Sequence, residues 1–367
     1  MEKEIKKTCL NERHRKQGAT MVEFGGFDMP IEYAGAGIVT EHNAVRNGVG
    51  VFDVSHMGEV LVTGPEAQEF VNYIFTNDVR AITDGTILYG MMLNHRGGVV
   101  DDLLVYRRHE NEYFLVINAS NIDKDVAWIK EQAMDFNVKV DNLSEQYGEL
   151  AIQGPKAEDT MKAVLGIDCS DLTFYTFKDI KEEGEDVIVS RTGYTREDGF
   201  EVYAGPELIG KMWDKLMAAG VQACGLGCRD TLRFEAGLPL YGDELSDDVT
   251  PVEATLSMFC KLDKPRFIGK DVVAKQKEEG PSRKTVGLEI QAPAIARLGY
   301  EVLDQDENVI GNITTGYRSI TLDRNIAMAL IDSKFAKLGT EVKVRVRRKV
   351  FPAVVVKKRF YTPNYKK

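Results

Sequence analysis

Alternation of apolar and polar positions predicts a three-strand meander in the first third of the chain. Residues 87–93 have the composition of a strand, Gly97-Gly98 can form a turn, and residues 99–106 return as a second strand. Asn111 then turns the chain into a third strand, YFLVINAS. Strand-length runs separated by turn residues in this way indicate an antiparallel sheet. The next segment, residues 121–134, has helical spacing and is predicted to be an amphipathic helix capped by Asn121.

The segment before this meander contains shorter elements. We predict a helix at residues 10–18, a strand at 21–33 that Gly25-Gly26 breaks and Pro30 stops, and a helix capped by Thr40 that runs to Arg46. Residues 51–62 have the composition of one strand interrupted at 55–57, and residues 65–75 have the spacing of a helix.

Strands followed by a helix recur after residue 146, which predicts two α+β units packed together. The strands are YGELAIQG and the segment VIVSRTGYTREDGFEVYAG, and the helices are expected at 155–165 and 206–219. A further helix is expected at 228–235, ended by Gly237. Residues 274–284 are charged and contain Gly280-Pro281, so we interpret them as a linker.

After residue 285 the pattern changes to short strands separated by turns, which predicts a small all-β barrel or sandwich. In the run EVKVRVRRKV, alternation puts Lys343, Arg345 and Arg347 on one strand face. A solvated edge strand protected by basic residues is the favoured interpretation. A docking surface for an acidic partner is the alternative.

Composition narrows the class of protein. The 367 residues predict two or three domains, and 43% hydrophobic with 28% charged residues is ordinary for a globular protein. The formal net charge of -10 argues against a general nucleic-acid binder. The sequence contains no run of 18 apolar residues, so it predicts no membrane-spanning helix. The charged N-terminal segment lacks the apolar core of a signal peptide. We therefore expect a cytoplasmic protein.

Cysteine and histidine spacing predicts neither a disulfide framework nor a metal site. The five cysteines are an odd number at irregular spacing. Cys224 and Cys228 lie four residues apart without a second Cys/His pair, so apolar packing is the better interpretation.

The adjacent acids Asp101 and Asp102 are the main candidates for chemistry. Successive strand side chains point to opposite faces, so the two cannot both face water if one face of the strand is core. An ionisable group held inward needs a partner or a function. From strand geometry alone, a strand end with two solvated acids is an equal alternative.

Three other clusters are weaker candidates. Ser55-His56 is expected to be structural or to line a pocket, because adjacent strand residues diverge and cannot act as nucleophile and base. In SRTGYTREDGFEVY, Tyr194 is expected to be exposed on a loop and Glu201 to begin a strand. Such a loop can fix a small molecule, although a surface hairpin is the favoured interpretation. Arg229, at a helix start, suits a carboxylate or phosphate.

Nine motifs in order give a resemblance that covers nearly the whole chain. They are FGGFDMPIEY, FDVSHMGEV, NHRGGVVDDLLVY, VINASNIDKD, AIQGPKA, SRTGYTREDGFEVY, CGLGCRDTLRFEAGLPLYG, TPVEA and RLGYEV. Together they closely resemble the aminomethyltransferases, the T-proteins of the glycine cleavage system.

The resemblance implies an α+β three-domain cloverleaf, with two antiparallel-sheet units around a central folate channel and a C-terminal barrel-like domain. On this chain the units would be residues 1–50 with 140–275, residues 51–139, which carry the Asp101-Asp102 strand, and residues 285–367. The implied activity is tetrahydrofolate-dependent aminomethyl transfer from a lipoyl carrier, the H-protein. Its products are methylenetetrahydrofolate and ammonia, and tetrahydrofolate is a co-substrate.

The resemblance also implies site residues. The family's catalytic aspartate matches Asp102. Its folate contacts match Met57, Tyr89, Asn118, Tyr194, Glu201, Arg229 and, near the C-terminus, Tyr365.

Some positions differ from the family's usual pattern and leave the donor open. Arg196 replaces a common glycine, Met258 a frequent aromatic residue and Phe27 a frequent tryptophan. Tyr317-Arg318 and Ile320 stand where a small residue and a Ser-Pro pair are usual. The alternatives are a related tetrahydrofolate-dependent demethylase with a different small methyl donor, and a folate-binding regulator without transfer activity. The intact Asp-Asp strand argues against the regulator.

Overall fold

A computed structural model describes residues 5–363, which form eight α-helices and nineteen strands. The helices are α1 (Asn11–Lys16), α2 (Gly37–Asn47), α3 (Ala67–Ile74), α4 (Ile122–Gln132), α5 (Ala157–Thr160), α6 (Pro206–Ala218), α7 (Leu226–Glu235) and α8 (Lys270–Glu279). The strands are β1 (Ala19–Phe24), β2 (Phe27–Tyr33), β3 (Gly50–Asp53), β4 (Gly58–Thr63), β5 (Thr86–Leu93), β6 (Val99–His109), β7 (Glu112–Ile117), β8 (Lys139–Asn142), β9 (Gly148–Gln153), β10 (Phe177–Glu182), β11 (Glu185–Ser190), β12 (Gly199–Ala204), β13 (Gln222–Cys224), β14 (Arg283–Ile290), β15 (Glu301–Leu303), β16 (Val309–Arg318), β17 (Asn325–Asp332), β18 (Glu341–Val346) and β19 (Lys349–Val356).

The predicted meander is confirmed and forms the centre of a five-stranded sheet. Its order is β5-β6-β7-β4-β8, with antiparallel pairing throughout. Apolar side chains of α3 and α4, including Phe70 and Ile129, pack with Val105 and Leu115 of the sheet to form one core. The Asp101-Asp102 strand, β6, is thus paired on both sides, with β5 and β7.

A six-stranded sheet in the order β10-β11-β12-β9-β3-β13 forms the second layer. Its pairs are antiparallel except for β13 and β3, which run parallel. Trp213 and Leu216 of α6 pack with Phe200 of β12 in its core.

The predicted C-terminal barrel is confirmed as a closed six-stranded barrel in the order β14-β17-β16-β15-β18-β19, with β19 pairing back to β14. The run EVKVRVRRKV is two strands, because Arg347 adopts a φ of 57° and turns the chain. The edge-strand interpretation is wrong, since β18 has a neighbour on each side. Arg345 pairs with Glu301 of β15 across the barrel surface. The docking-surface alternative stays a prediction.

Several predicted boundaries are wrong for identifiable reasons. Pro30 lies within β2, where a two-stranded ribbon tolerates it beside a register shift. The strand expected at 51–62 is two strands, β3 and β4, that belong to different sheets. α2 begins before Thr40, so this residue is not its cap.

Asn121 does not cap α4 with its side chain either, because that side chain bonds to Asp101. The linker expected at residues 274–284 is wrong in its first half, because these residues continue the helix α8 to its end. The charged residues of α8 lie on its exposed side, while Val273 is buried.

The α+β class with a C-terminal barrel is therefore confirmed. We retain the division at 1–50 with 140–275, 51–139 and 285–367 as a proposal. Within residues 5–363, no helix is long and apolar enough to cross a membrane.

Candidate active site

A cavity of about 750 Å³ is lined by residues of both large sheets, α7 and the segment after β19. The described residues that the resemblance implied all line this one cavity: Met57, Tyr89, Asp102, Asn118, Tyr194, Glu201 and Arg229. Tyr365 lies outside the described residues. A concave site of this volume is typical for a small-molecule ligand.

Asp102 lies on β6 with its carboxyl group at the cavity wall. The Tyr89 hydroxyl on the neighbouring strand β5 donates to Oδ2 over 2.9 Å, and Nδ2 of Asn118 donates to Oδ1 over 2.9 Å. Burial, followed by the negative charge of Asp101, raises the pKa of Asp102 to about 7. A carboxyl group that exchanges its proton near neutral pH is suited to both proton transfer and charge stabilisation.

Asp101 points to the opposite face of β6, as strand alternation requires. It is fully buried and accepts hydrogen bonds from the Asn118 backbone N–H and from Nδ2 of Asn118 and Asn121, at 2.8–2.9 Å. The interpretation of two solvated acids at a strand end is therefore wrong.

Glu201 on β12 forms the acidic group of the second cavity wall. The Thr192 hydroxyl donates to its carboxyl group, and burial raises the pKa of Glu201. Glu149 on β9 also lines the cavity and is buried. Burial, followed by the charge of Glu201, raises the pKa of Glu149 well above its ordinary value. This wall can present hydrogen-bonding carboxyl groups to a ligand.

Tyr194 is partly buried rather than exposed on a loop. Its hydroxyl donates to the Pro239 carbonyl, and the Arg229 guanidinium stacks 4.4 Å from its ring centroid. Two contacts of this kind fix the ring orientation, so Tyr194 provides a rigid aromatic surface in the cavity.

Of the two roles expected for Ser55 and His56, structural or pocket-lining, their contacts favour the structural one. The Ser55 hydroxyl accepts from the Glu149 backbone N–H, and the His56 ring packs edge-on against Phe24. Burial, followed by the positive charge of Arg229, lowers the pKa of His56 to about 4, so this ring is neutral at physiological pH. Their neighbour Met57 is the residue of this turn that reaches the cavity.

Family models match two successive parts of the chain. Residues 10–264 match the GCVT N-terminal domain, and residues 283–362 match the glycine cleavage T-protein C-terminal barrel domain. The chain belongs to the glycine cleavage T-protein family.

Relatives of this T-protein family match over nearly the full length. An aminomethyltransferase from Caldanaerobacter subterraneus subsp. tengcongensis is 50% identical, with 99% of this chain and 98% of the relative covered. An aminomethyltransferase from Alkaliphilus oremlandii is 48% identical, with 99% of this chain and 100% of the relative covered. The crystal structure of glycine cleavage system aminomethyltransferase T from Bartonella henselae has 33% identity and a TM-score of 0.94, covering 99% and 100%. The chain is therefore an enzyme of the aminomethyltransferase class.

Two of the departures from the T-protein pattern lie at the cavity. Arg196 and Met258 both line it, and Arg196 has a φ of 64°, a backbone conformation that favours the glycine usual in the family. Tyr317 does not line it. Its hydroxyl donates to Asp230, and the Arg297 guanidinium stacks on its ring.

Sequence reasoning missed Glu149 and Tyr175 as cavity residues. Glu149 carries a signal in the pattern, since a carboxyl group within an apolar strand is costly unless it is partnered or used. Tyr175 follows Phe174 in a segment without periodicity, so nothing distinguishes it in the sequence. Among residues 5–363, no group of three or more His, Cys, Asp or Glu is arranged to hold a metal ion.

Proposed function

We propose that the chain transfers an aminomethyl group from the lipoyl arm of a carrier protein, the H-protein, to tetrahydrofolate. The products would be methylenetetrahydrofolate, ammonia and the reduced lipoyl carrier. The single observation that carries the proposal is the Asp102 carboxyl group, held at the cavity wall by Tyr89 and Asn118 in a chain of the T-protein family.

The cavity residues suit a folate. Glu201 can accept hydrogen bonds from the pterin amino group and ring N–H in bidentate fashion, as carboxylates do. Tyr89 and Tyr194 provide aromatic surfaces for the ring system. Burial, followed by the charge of Asp102, raises the pKa of Tyr89 well above its ordinary value, so this hydroxyl remains a donor to Asp102.

The transfer needs orientation more than strong acid catalysis. N5 of the folate bonds to the methylene carbon while the carbon–nitrogen bond breaks, and the electron pair leaves with the amine, which takes the N5 proton as ammonia. N10 then bonds to the same carbon as the carbon–sulfur bond breaks, and its proton goes to the lipoyl sulfur. The Asp102 carboxylate would hold the folate nitrogens and stabilise the positive charge that develops on the iminium-like carbon.

A demethylase with a different small methyl donor is the second candidate. It is favoured by Arg196 and Met258, since both differ from the family's usual residues and both line the cavity.

The cytoplasmic location predicted above also stays a prediction.

A reconstituted reaction separates these candidates. The protein is mixed with tetrahydrofolate and aminomethylated lipoyl carrier, and ammonia release is followed alongside folate binding. Turnover supports the aminomethyl transfer. Folate binding without turnover points to another methyl donor or to the non-catalytic regulator, and a protein that does not bind folate would rule out both enzymatic functions.

A further inference from the structure

A second buried carboxyl group lies behind the Asp101-Asp102 strand. Asp125 of α4 is fully buried. It is four residues after Asn121, so the two side chains share one helix face. Asn121 donates from Nδ2 to Asp101 over 2.8 Å, which shows that this face lies against Asp101.

The Asp125 carboxyl group has an unusual environment. Within residues 5–363, neither of its oxygens meets a hydrogen-bond donor. The Lys124 ammonium is 3.7 Å from Oδ1, while it donates to the Val100 carbonyl over 2.5 Å and to the Tyr241 hydroxyl over 3.0 Å. A buried carboxylate without donors is very costly, so burial favours the protonated form of Asp125 over an ion pair with Lys124. Burial, followed by the negative charge of Asp101 and a hydrogen bond to it, raises the pKa of Asp125 to about 11.

Asp101 can accept the proton of Asp125, because the helix face that carries Asp125 lies against it. The Asp101 carboxylate receives three hydrogen bonds from Asn118 and Asn121 and retains acceptor capacity, because an ionised carboxylate offers about four lone-pair sites. A neutral acid that donates to a carboxylate leaves one negative charge on the pair, which is how two close buried carboxyl groups coexist.

Asn118 connects this pair to the cavity. Its Nδ2 lies 2.9 Å from Asp101 Oδ1 and 2.9 Å from Asp102 Oδ1, and 3.0 Å from the Asp102 backbone carbonyl. Its backbone N–H donates to Asp101 Oδ2 over 2.9 Å. The orientation of the Asn118 amide, and through it that of the Asp102 carboxyl group, therefore depends on where the Asp101 carboxylate is held.

We propose that Asp125 is a positioning residue for Asp102: it donates its carboxyl proton to Asp101, and Asp101 in turn orients the Asn118 amide that holds Asp102 at the cavity wall. The expected effect of Asp125 on turnover rests on the proposed function. The proton shared between Asp125 and Asp101 does not, because it depends only on the geometry of α4 and β6.

The titratable groups around this network come from four elements. Asp102 shares β6 with Asp101, Tyr89 faces Asp102 from β5, Lys124 is beside Asp125 on α4, and Tyr241 reaches Lys124 from the segment after α7. Loss of the Asp125 donor removes a bond that favours the anion of Asp101. The Asn118 amide is then held less firmly, and the pKa of Asp102, which the Asn118 hydrogen bond lowers, should rise further.

The first test needs no substrate. Infrared difference spectra of the whole ligand-free protein near pH 7.5 compare the wild type with Asp125→Asn. The expected difference is the carbonyl stretch of a protonated carboxylic acid, shifted in D₂O. Asp123→Asn, at an exposed position in the first turn of the same helix, is the matched control and should leave the band unchanged. A wild-type minus Asp125→Asn difference spectrum without this band would overturn the proposal.

The second test separates positioning from packing. Asp125→Asn keeps the size and a donor, whereas Asp125→Leu keeps the size and removes the donor. Asp125→Asn should retain turnover within about threefold, while Asp125→Leu should lower kcat roughly tenfold or more with nearly unchanged folate affinity. The titration of the Asp102 carboxyl group, followed by infrared, should move to higher pH in Asp125→Leu alone.

The outcomes distinguish this inference from the proposed function. Equal kcat and equal titration in the Asn and Leu variants would overturn the positioning role. If Asp125→Leu does not fold, loss of kcat in Asp125→Asn without loss of folate binding would contradict it. If the wild type itself releases no ammonia, the proposed function fails, and the infrared band and titration still decide the role of Asp125.

Discussion

The Asp102 carboxyl group exchanges its proton close to neutral pH because its surroundings oppose its charge. Burial and the negative charge of Asp101 outweigh the hydrogen bonds that it accepts from Tyr89 and Asn118. Protein carboxyl groups with such shifted pKa values are concentrated at functional sites. Its protonation state should therefore be visible in both activity and stability.

Activity should depend on the ionisation of Asp102. Since the carboxylate is the form that stabilises positive charge, kcat/KM for aminomethyl transfer should rise with pH through an apparent pKa of about 7. Initial rates of ammonia release across this range provide the measurement. Asp102→Asn should lack this limb. An identical limb in that variant would assign the titration to another group.

Stability should change with pH in the opposite direction. The pKa of Asp102 is about 7 when folded against an ordinary value of 3.8, so folding favours the protonated form. The stability that Asp102 contributes is fully present below pH 3.8, its ordinary pKa, and is lost as the pH rises through 7. Relative to Asp102→Asn, the melting temperature of the wild type should fall between about pH 4 and pH 8. A constant difference in calorimetry would contradict this sign.

Residue-level prediction from the sequence succeeded in part. Alternation required Asp101 and Asp102 to diverge, and the family motif selected Asp102 for the cavity. The burial of Asp101 was not predictable, because its donors Asn118 and Asn121 lie beyond the next strand. The burial of Asp125 was not predictable either, because in the sequence it has the pattern of an ordinary charged position on an amphipathic helix.

At the scale of elements, the β5–β6 hairpin determines where Asp102 lies. Gly97 has a φ of 83°, and a Cβ atom on Gly98 would lie 1.8 Å from the backbone oxygen of Asp247. Backbone atoms cannot move as easily as a side chain, so the close approach requires glycine at position 98.

Gly98→Ala should therefore be strongly destabilising. We expect the free energy of unfolding to fall by roughly 2 kcal/mol or more, because the backbone around Asp247 must shift. Gly26→Ala is the control: Gly26 has a φ of 86° but nothing within 4 Å of its Cβ position, so its cost should be about 1 kcal/mol. Urea denaturation measures both. Equal losses would show that the contact with Asp247 is unimportant.

Periodicity predicted the elements better than their ends. The meander and the barrel strands follow from alternation, which depends on local sequence. The helix α8 was mistaken for a linker because its residues are mainly charged, and its burial through Val273 depends on packing that the sequence does not display. The separation of β3 and β4 into two sheets is likewise a property of tertiary pairing.

At the scale of the whole molecule, Glu235 at the end of α7 connects the N-terminal part to the barrel. Ser319 Oγ and Thr321 Oγ1 each donate to it over 2.6 Å, and Arg46 donates over 3.1 Å. Burial alone would raise the pKa of Glu235, but bonds from His42, Ser319 and Thr321 hold it at about 2. These partners are distant in sequence, so no local pattern predicts them.

The Glu235 connection should fail in acid. With its folded pKa below the ordinary value of 4.5, Glu235 contributes stability above that value and loses it as the pH falls toward 2. Glu235→Gln should lower the melting temperature at pH 7, and the difference should narrow by about pH 3. Glu279→Gln, at an exposed position, is the control. A difference that widens in acid would contradict the sign.

Asp102 is the residue that we propose enables aminomethyl transfer within the cavity. The most direct test is ammonia release from aminomethylated lipoyl carrier and tetrahydrofolate by the wild type and by Asp102→Asn, with folate affinity measured in parallel. The wild type should turn over, and the variant should bind folate equally well but react ~10²-fold more slowly or worse. Equal rates for the two proteins would contradict the claim.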